Sequence, residues 1–271
     1  MALGVTAEQT LGARAATVDG TLEYVALGDS YASGHGASTT YDDNACKRSP
    51  SAYPNIVFPK YRAVEQPSGF TSLVSVACTG ATIPDVVAKQ LPQVSSHVRL
   101  VTLTVGGNDL GFAGVATTCV LQSSADCTSA LNDVAGKLDS IRQPLTDLLV
   151  AIKKQALTAN VVVSGYPKIF DTGACGVLAV SEANRDRMRS LQDAMNQIIK
   201  EVAAGTSAQF ADPDPLFEGH RVCDSDYWIN EVGDAIVVRD PAAAYHPNQN
   251  GQAAMAEAIF QAAIGSGVHS G

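Results

Sequence analysis

Basic residues are few and nowhere clustered. Lysine and arginine number 18 against 27 acidic residues, a formal net charge of −9 with a pI of about 4.9. The electrostatic footprint of nucleic-acid binding is therefore missing, and charge alone does not draw the chain to an anionic membrane. No apolar run approaches the roughly 20 residues that a membrane-spanning helix needs. Residues 1–20 also lack the apolar core of a signal peptide. There is no internal repeat and no low-complexity tract. Cysteine occurs six times, yet never as C-x-x-C or in a Cys/His spacing that would hold zinc.

What is present is enough for one substantial core: 271 residues, 46% of them hydrophobic. Cys46, Cys78, Cys119, Cys127, Cys175 and Cys223 form an even set that reads best as three disulfides, and disulfides imply an oxidising compartment. Neighbour-to-neighbour pairing (Cys46–Cys78, Cys119–Cys127, Cys175–Cys223) is the simplest of many. The expectation is a secreted, extracellular protein whose leader has been removed, with Met1 supplied for expression. Free buried thiols in a cytosolic protein are the alternative. Residues 1–20 read as an amino-terminal arm, disordered or added for expression, and 21–271 as a single domain.

Five strand candidates follow: Glu23–Leu27, Leu73–Ala77, Leu100–Val105, Val161–Ser164 and Gln209–Ala211. Several are continuous apolar runs, which suits parallel strands covered on both faces. Between them lie helix candidates: Ala81–Leu91; a stripe of Leu131, Val134, Leu138 and Ile141 that resumes after Pro144 with Leu145, Leu148, Leu149 and Ile152; Ser181–Ala204; and about 250–264, stopped by Gly265. This alternation predicts an α/β fold with a parallel sheet. Long loops are expected at about 32–72, 110–128 and 212–246.

The chemistry gathers in four segments. Gly28-Asp29-Ser30 closes the first strand, so the serine hydroxyl sits where open α/β sheets bind ligands. Ala77-Cys78-Thr79-Gly80 follows the second strand and Val105-Gly106-Gly107-Asn108-Asp109 the third. Tyr245-His246-Pro247-Asn248 precedes the final helix. A serine hydroxyl is a weak nucleophile until a base takes its proton, and histidine is the usual base. The tetrahedral oxyanion then needs donors, which Ser30 N–H, Gly80 N–H and the Asn108 amide can supply. Glycine at 80 lets the backbone approach a substrate with no Cβ between. Asp29 and Asp109 read as structural, holding turns by side-chain to backbone bonds. His35, His97, His220 and His269 have no comparable setting.

These four blocks, in this order over residues 28 to 248, resemble the GDSL/SGNH hydrolases. The length and cysteine-rich loops are similar to the secreted actinobacterial branch of lipases, esterases and phospholipases A. The resemblance implies a flavodoxin-like three-layer α/β/α sandwich around a central parallel sheet. It implies Ser30 as nucleophile, His246 as base, and Ser30, Gly80 and Asn108 as oxyanion donors. The implied activity is hydrolysis of fatty acyl esters (triacylglycerols, synthetic esters or phospholipids) through an acyl-enzyme. No cofactor or metal is expected. The implied partners are a small-molecule or lipid ester, with transient contact at a lipid interface and no nucleic acid, for a chain acting as a monomer. Carbohydrate O-deacetylation is the alternative reaction, and a non-catalytic binding module on the same fold is the alternative class.

Three points stay open. The family commonly has an aspartate three residues before the histidine, where this chain has Ala243. The imidazole is then oriented by the Ala244 carbonyl or, as runner-up, by Asp240; losing the orienting acid of a serine protease costs about 10⁴ in rate. Asp212, Asp214, Glu218 and Asp224 read as a solvated acidic loop, with an oxygen-ligand cation site as the rival. Trp228, the sole tryptophan, either lines the acyl cleft or packs its loop on the core. Activity is expected to rise near the ordinary histidine value of about 6.5, moved by the surroundings. Asp240→Asn separates the two orienting groups: an unchanged kcat removes the carboxylate, and a loss of roughly a hundredfold or more removes the carbonyl.

Overall fold

The computed structural model describes residues 23–64, 71–172, 175 and 180–265. The expected arm at 1–20 lies outside them. Five strands are present among the described residues: β1 Tyr24–Gly28, β2 Leu73–Ser75, β3 Leu100–Thr104, β4 Asn160–Ser164 and β5 Gln209–Ala211. They form one sheet in the order β2-β1-β3-β4-β5, and every pairing is parallel. β1 and β3 are buried along their whole length, as their unbroken apolar runs require when helices cover both faces.

The helices are α1 Ser30–Ser33, α2 Tyr53–Val64, α3 Ile83–Asp85, α4 Gly107–Leu110, α5 Phe112–Leu121, α6 Ser124–Lys137, α7 Arg142–Gln155, α8 Glu182–Gly205, α9 Val232–Val237 and α10 Gln249–Gly265. Right-handed crossovers dictate their sides. The chain runs from β1 outward to β2, then back past β1 to β3, β4 and β5. The crossover helix α2 is thus on the face opposite to α7 and α8. α10 returns to pack on α2, and α7 packs on α8. The result is the flavodoxin-like α/β/α sandwich. The order reverses between β1 and β3, and the carboxyl ends of that pair are where ligands bind in such sheets.

Three loop expectations need correction. Residues 32–72 contain α2, whose pattern is obscured by Pro54 in its first turn and Pro59 inside it. Its buried face, Tyr53, Val57 and Tyr61, nevertheless has helical spacing. Residues 110–128 contain α5 and the start of α6. α5 is apolar nearly all round and shows little amphipathic pattern. Residues 212–246 contain α9. The expected helix at Ala81–Leu91 is instead short α3, a π turn over Val86–Gln90 and a 3₁₀ turn over Leu91–Gln93. Pro144 does not interrupt α7 but sits in its first turn, where no backbone N–H needs an intrahelical partner. The break falls at the 3₁₀ turn Leu138–Ile141.

The exit of β1 is built with little tolerance. Gly28 has φ +128°, and a Cβ there would stand 2.3 Å from the Thr104 carbonyl oxygen. The buried Gln90 side chain accepts from Gly28 N–H at 2.7 Å and donates to its carbonyl at 2.9 Å. Gly28→Ala combines a forbidden dihedral with a backbone clash. Its expected cost is about 3 kcal/mol or more, read as a lowered urea midpoint with unchanged m.

Candidate active site

Ser30 is the first residue of α1 and only 7% exposed. The capping residue Asp29 accepts from Tyr31 N–H at 3.0 Å and from the Tyr166 hydroxyl at 2.5 Å. Tyr166 Oη in turn accepts from Gly107 N–H at 3.2 Å, so one phenol ties the turn after β1 to the turn after β3. Burial pushes the Asp29 carboxyl up to about 7, against those hydrogen bonds.

His246 meets the serine from the far end of the chain. Its Nε2 lies 2.7 Å from Ser30 Oγ and its Nδ1 3.1 Å from the Ala244 carbonyl oxygen. A carbonyl only accepts, so Nδ1 carries the hydrogen. In the neutral ring Nε2 is then the acceptor that faces the serine hydroxyl.

Asp240, the runner-up, is engaged elsewhere. Its Oδ2 is 3.1 Å from His35 Nε2 and 3.0 Å from Lys47 Nζ. No motif marks His35, yet its ring centroid is 5.0 Å from that of His246. An apolar-to-polar reading of the sequence could not find it, because its neighbours come from residues 47, 79 and 240.

The segment carrying His246 is held from several sides. The Tyr31 hydroxyl donates to the Tyr245 carbonyl at 2.7 Å. Asn230 N–H donates to the His246 carbonyl and Tyr245 N–H to the Asn230 carbonyl, both at 2.9 Å. Tyr245 itself has φ +63°, a left-handed conformation that persists in a bulky residue only when its surroundings enforce it. Tyr31, Asn230 and Tyr166 thus support the site, and none stands in a recognisable motif.

Gly80 has φ +77°, and a Cβ built on it would meet nothing within 4 Å. Its backbone faces open space in the cleft. Asn108 Nδ2 donates to the Ala81 carbonyl at 3.0 Å; an amide nitrogen carries two hydrogens, so one remains. The Asp109 carboxylate accepts from Ile83 N–H at 3.0 Å and 3.1 Å through its two oxygens, fixing the turn after β3 against α3. Ser30, Gly80, Asn108 and His246 all line one cleft of about 570 Å³. Its other walls are largely apolar: Phe112, Ala116 and Val120 of α5, Ile169, Met195 of α8, and Val232 and Ile236 of α9.

Disulfides join Cys46 to Cys78, Cys119 to Cys127 and Cys175 to Cys223. The first lies two residues before Gly80, and the second ties α5 to α6. Trp228 is not in the cleft wall; it stacks on His220 with centroids 3.6 Å apart and packs near Phe217. Two of the acidic residues of 212–226 are engaged within the protein. Asp214 pairs with Lys168 at 3.0 Å and Arg221 at 3.1 Å, and Asp224 accepts from Arg221 N–H at 2.7 Å.

A nucleophile-type serine, its histidine and a pair of further donors at the switch point of a 2-1-3-4-5 sheet match one known group. The model of the GDSL-like lipase/acylhydrolase family covers residues 26–254. The chain belongs to this family. By that membership it is a carboxylic-ester hydrolase. It is 36% identical over 242 residues to Lipase 1 of Streptomyces coelicolor, covering 89% of this chain and 85% of that protein. The crystal structure of an extracellular lipase from Streptomyces rimosus superposes with a TM-score of 0.79 at 35% identity, over 89% of this chain and 99% of that one. That of a phospholipase A1 from Streptomyces albidoflavus gives 0.77 at 34% identity, over 90% and 100%.

The electrostatics alter one expectation. Burial, and then the neighbouring His35, lower the His246 pKa to about 4. The ring is neutral above that value and able to accept a proton. The kcat/KM of ester hydrolysis is therefore expected to rise through an apparent pKa near 4 and stay level from about pH 5 to 8, instead of rising near 6.5. A pH-rate profile on a non-ionising ester, with an acid limb at 6 or above, would contradict this placement.

Proposed function

We propose that the chain is a secreted serine lipase/esterase acting on fatty acyl esters, with Ser30 as nucleophile and His246 as base. One observation carries the reading: Ser30 Oγ and His246 Nε2 stand 2.7 Å apart at the wall of an apolar cleft, with Nδ1 committed to the Ala244 carbonyl.

His246 Nε2 takes the Ser30 proton as Oγ bonds to the acyl carbon. The carbonyl π electrons move onto oxygen, and Ser30 N–H, Gly80 N–H and Asn108 Nδ2 stabilise the oxyanion. On collapse the ester C–O bond breaks, and the imidazolium gives its proton to the departing alcohol. Water then attacks the acyl carbon as the same ring takes its proton; on collapse the bond from Ser30 Oγ to the acyl carbon breaks, the imidazolium returns its proton to Oγ, and the free acid leaves. A carbonyl stabilises the transient imidazolium less than a carboxylate does, which accords with the low affinity of His246 for a proton.

The fatty acyl specificity is supported by the cleft lining and by the lipase and phospholipase A1 named among the relatives. Leu121 of α5 and Ile236 of α9 line the cleft and are 71% and 64% exposed. Apolar side chains left in water at a cleft mouth suit transient contact with a neutral lipid surface. Secretion is supported by the three disulfides and by the extracellular character of the S. rimosus relative. Among the described residues no helix is long and apolar enough to cross a membrane.

Initial rates on p-nitrophenyl esters from acetate to palmitate test the reading. The expected result is a preference for medium or long chains, at least about 10³-fold above Ser30→Ala, with fluorophosphonate labelling lost in that variant. Rates confined to acetate would replace the lipase by a deacetylase. Absence of Ser30-dependent labelling would leave a binding module.

A further inference from the structure

His35 is 2% exposed and makes two hydrogen bonds that join separate parts of the site. Nε2 meets Asp240 Oδ2 at 3.1 Å, and Nδ1 meets Thr79 Oγ1 at 2.9 Å. An ionised carboxylate only accepts, so Nε2 carries a hydrogen and, in the neutral ring, Nδ1 accepts from the threonine hydroxyl. Thr79 immediately precedes Gly80. Its own N–H donates to the Cys46 carbonyl at 3.0 Å, beside the Cys46–Cys78 disulfide. Asp240 begins the turn that leads to His246. The His35 and His246 rings lie 5.0 Å apart with planes 32° from parallel. At the next residue, a Cβ on Gly36 would stand 3.2 Å from His246 Cβ and 2.5 Å from Asn230 Nδ2. This close approach fixes the separation of the two histidine segments.

We propose that His35 is a positioning residue: the hydrogen-bonded chain Thr79–His35–Asp240 sets the Gly80 turn and the His246 ring in register with each other. The proposal rests on the reading of Ser30 and His246 as the reacting pair. It accounts for a gap in that reading. His246 is oriented by one hydrogen bond to a neutral carbonyl, which leaves the ring short of the restraint and charge that a triad carboxylate supplies. The His35 ring supplies the restraint by packing. Asp240 supplies negative charge one ring further away, attenuated by Lys47. The groups facing His35 are thus Asp240, Lys47, His246 and the Tyr41 ring at 6.0 Å. Those facing His246 are Ser30, His35, the Tyr31 ring at 5.3 Å and, one ring further away, the Asp240 charge.

The test is a set of kcat, KM and pH-rate measurements on p-nitrophenyl butyrate for His35→Gln, Thr79→Val, Asp240→Asn and the double variant His35→Gln/Asp240→Asn. His35→Gln is expected to lower kcat by about 10- to 100-fold, part of what general-base catalysis contributes, with KM within about threefold of the parent. The acid limb is expected to move upward by roughly one pH unit, because the ring that crowds His246 is gone and water enters. Thr79→Val keeps the shape and removes only the Nδ1 partner, so a several-fold loss in kcat is expected. Asp240→Asn is expected to cost several-fold in the parent and nothing further in the His35→Gln background, the non-additivity of residues acting through one another.

An unchanged kcat and acid limb in a folded His35→Gln protein would overturn the proposal. So would a full and independent loss from Asp240→Asn in both backgrounds, or parent-like kcat in Thr79→Val. If His35→Gln does not fold, Thr79→Val and Asp240→Asn decide. Failure of the Ser30–His246 reading shows itself separately, as parent protein that a fluorophosphonate does not label.

Discussion

The proposed reaction depends on bringing Ser30 and His246 together across a sequence separation of 216 residues. The hydrogen bond between them is worth only about 1 kcal/mol net, far too little to hold two ends of a chain in place. The position is imposed by the framework instead. The parallel sheet sets the serine at the exit of β1. Gln252 of α10 accepts from Tyr53 N–H at 2.8 Å and donates to the Tyr31 carbonyl at 3.1 Å, so the final helix is keyed to α1 and α2. The Tyr31 hydroxyl and Asn230 then seize the segment just before that helix. The left-handed Tyr245 is the local strain that this grip sustains.

Burial shifts the proton affinities of the two groups at this junction in opposite directions. Desolvation raises Asp29 to about 7 and lowers His246 to about 4. Each shift favours the neutral form, as expected where water is excluded. The carboxylate near the histidines, Asp240, has a side chain only 19% exposed and is paired with Lys47. A family position that commonly carries an acid is Ala243 here. In this site His246 Nδ1 bonds to the Ala244 carbonyl and the ring packs near those of Tyr31 and His35.

The cleft owes its character to the helices that departed from their sequence patterns. α5 is apolar nearly all round because one side meets α6 and another faces the cleft. α9 is short, with its apolar tip at the mouth. The Cys119–Cys127 bridge closes a span of only 8 residues, so its entropic gain is modest. Its place matters more, since it binds the cleft wall of α5 to the body of the domain through α6.

The strands were legible because buried parallel strands need continuous apolar runs, and all five candidates fall within two residues of those observed. α8 and α10 were equally plain from their period and their ends. α2 was hidden by its two prolines and α5 by its lack of a polar face, so the loop regions were read as emptier than they are. Residue types placed Ser30, Gly80, Asn108 and His246 in four short blocks, and the resemblance to the GDSL/SGNH hydrolases suggested the roles of those residues and the Ala244 carbonyl as a partner for the imidazole. Tyr31, His35, Asn230 and Tyr166 carry no such mark. Their partners lie 44 to 214 residues away in the cases of His35 and Tyr31, and a side chain's role as a strut depends on what the fold sets opposite it. The sequence alone therefore determined the fold class and the chemical groups, which follow from hydrophobic period and residue type. Only the tertiary structure decided how those groups are oriented, what shifts their proton affinities and where Asp240 is spent, because distance, burial and hydrogen-bond geometry arise from contacts between segments remote in the chain.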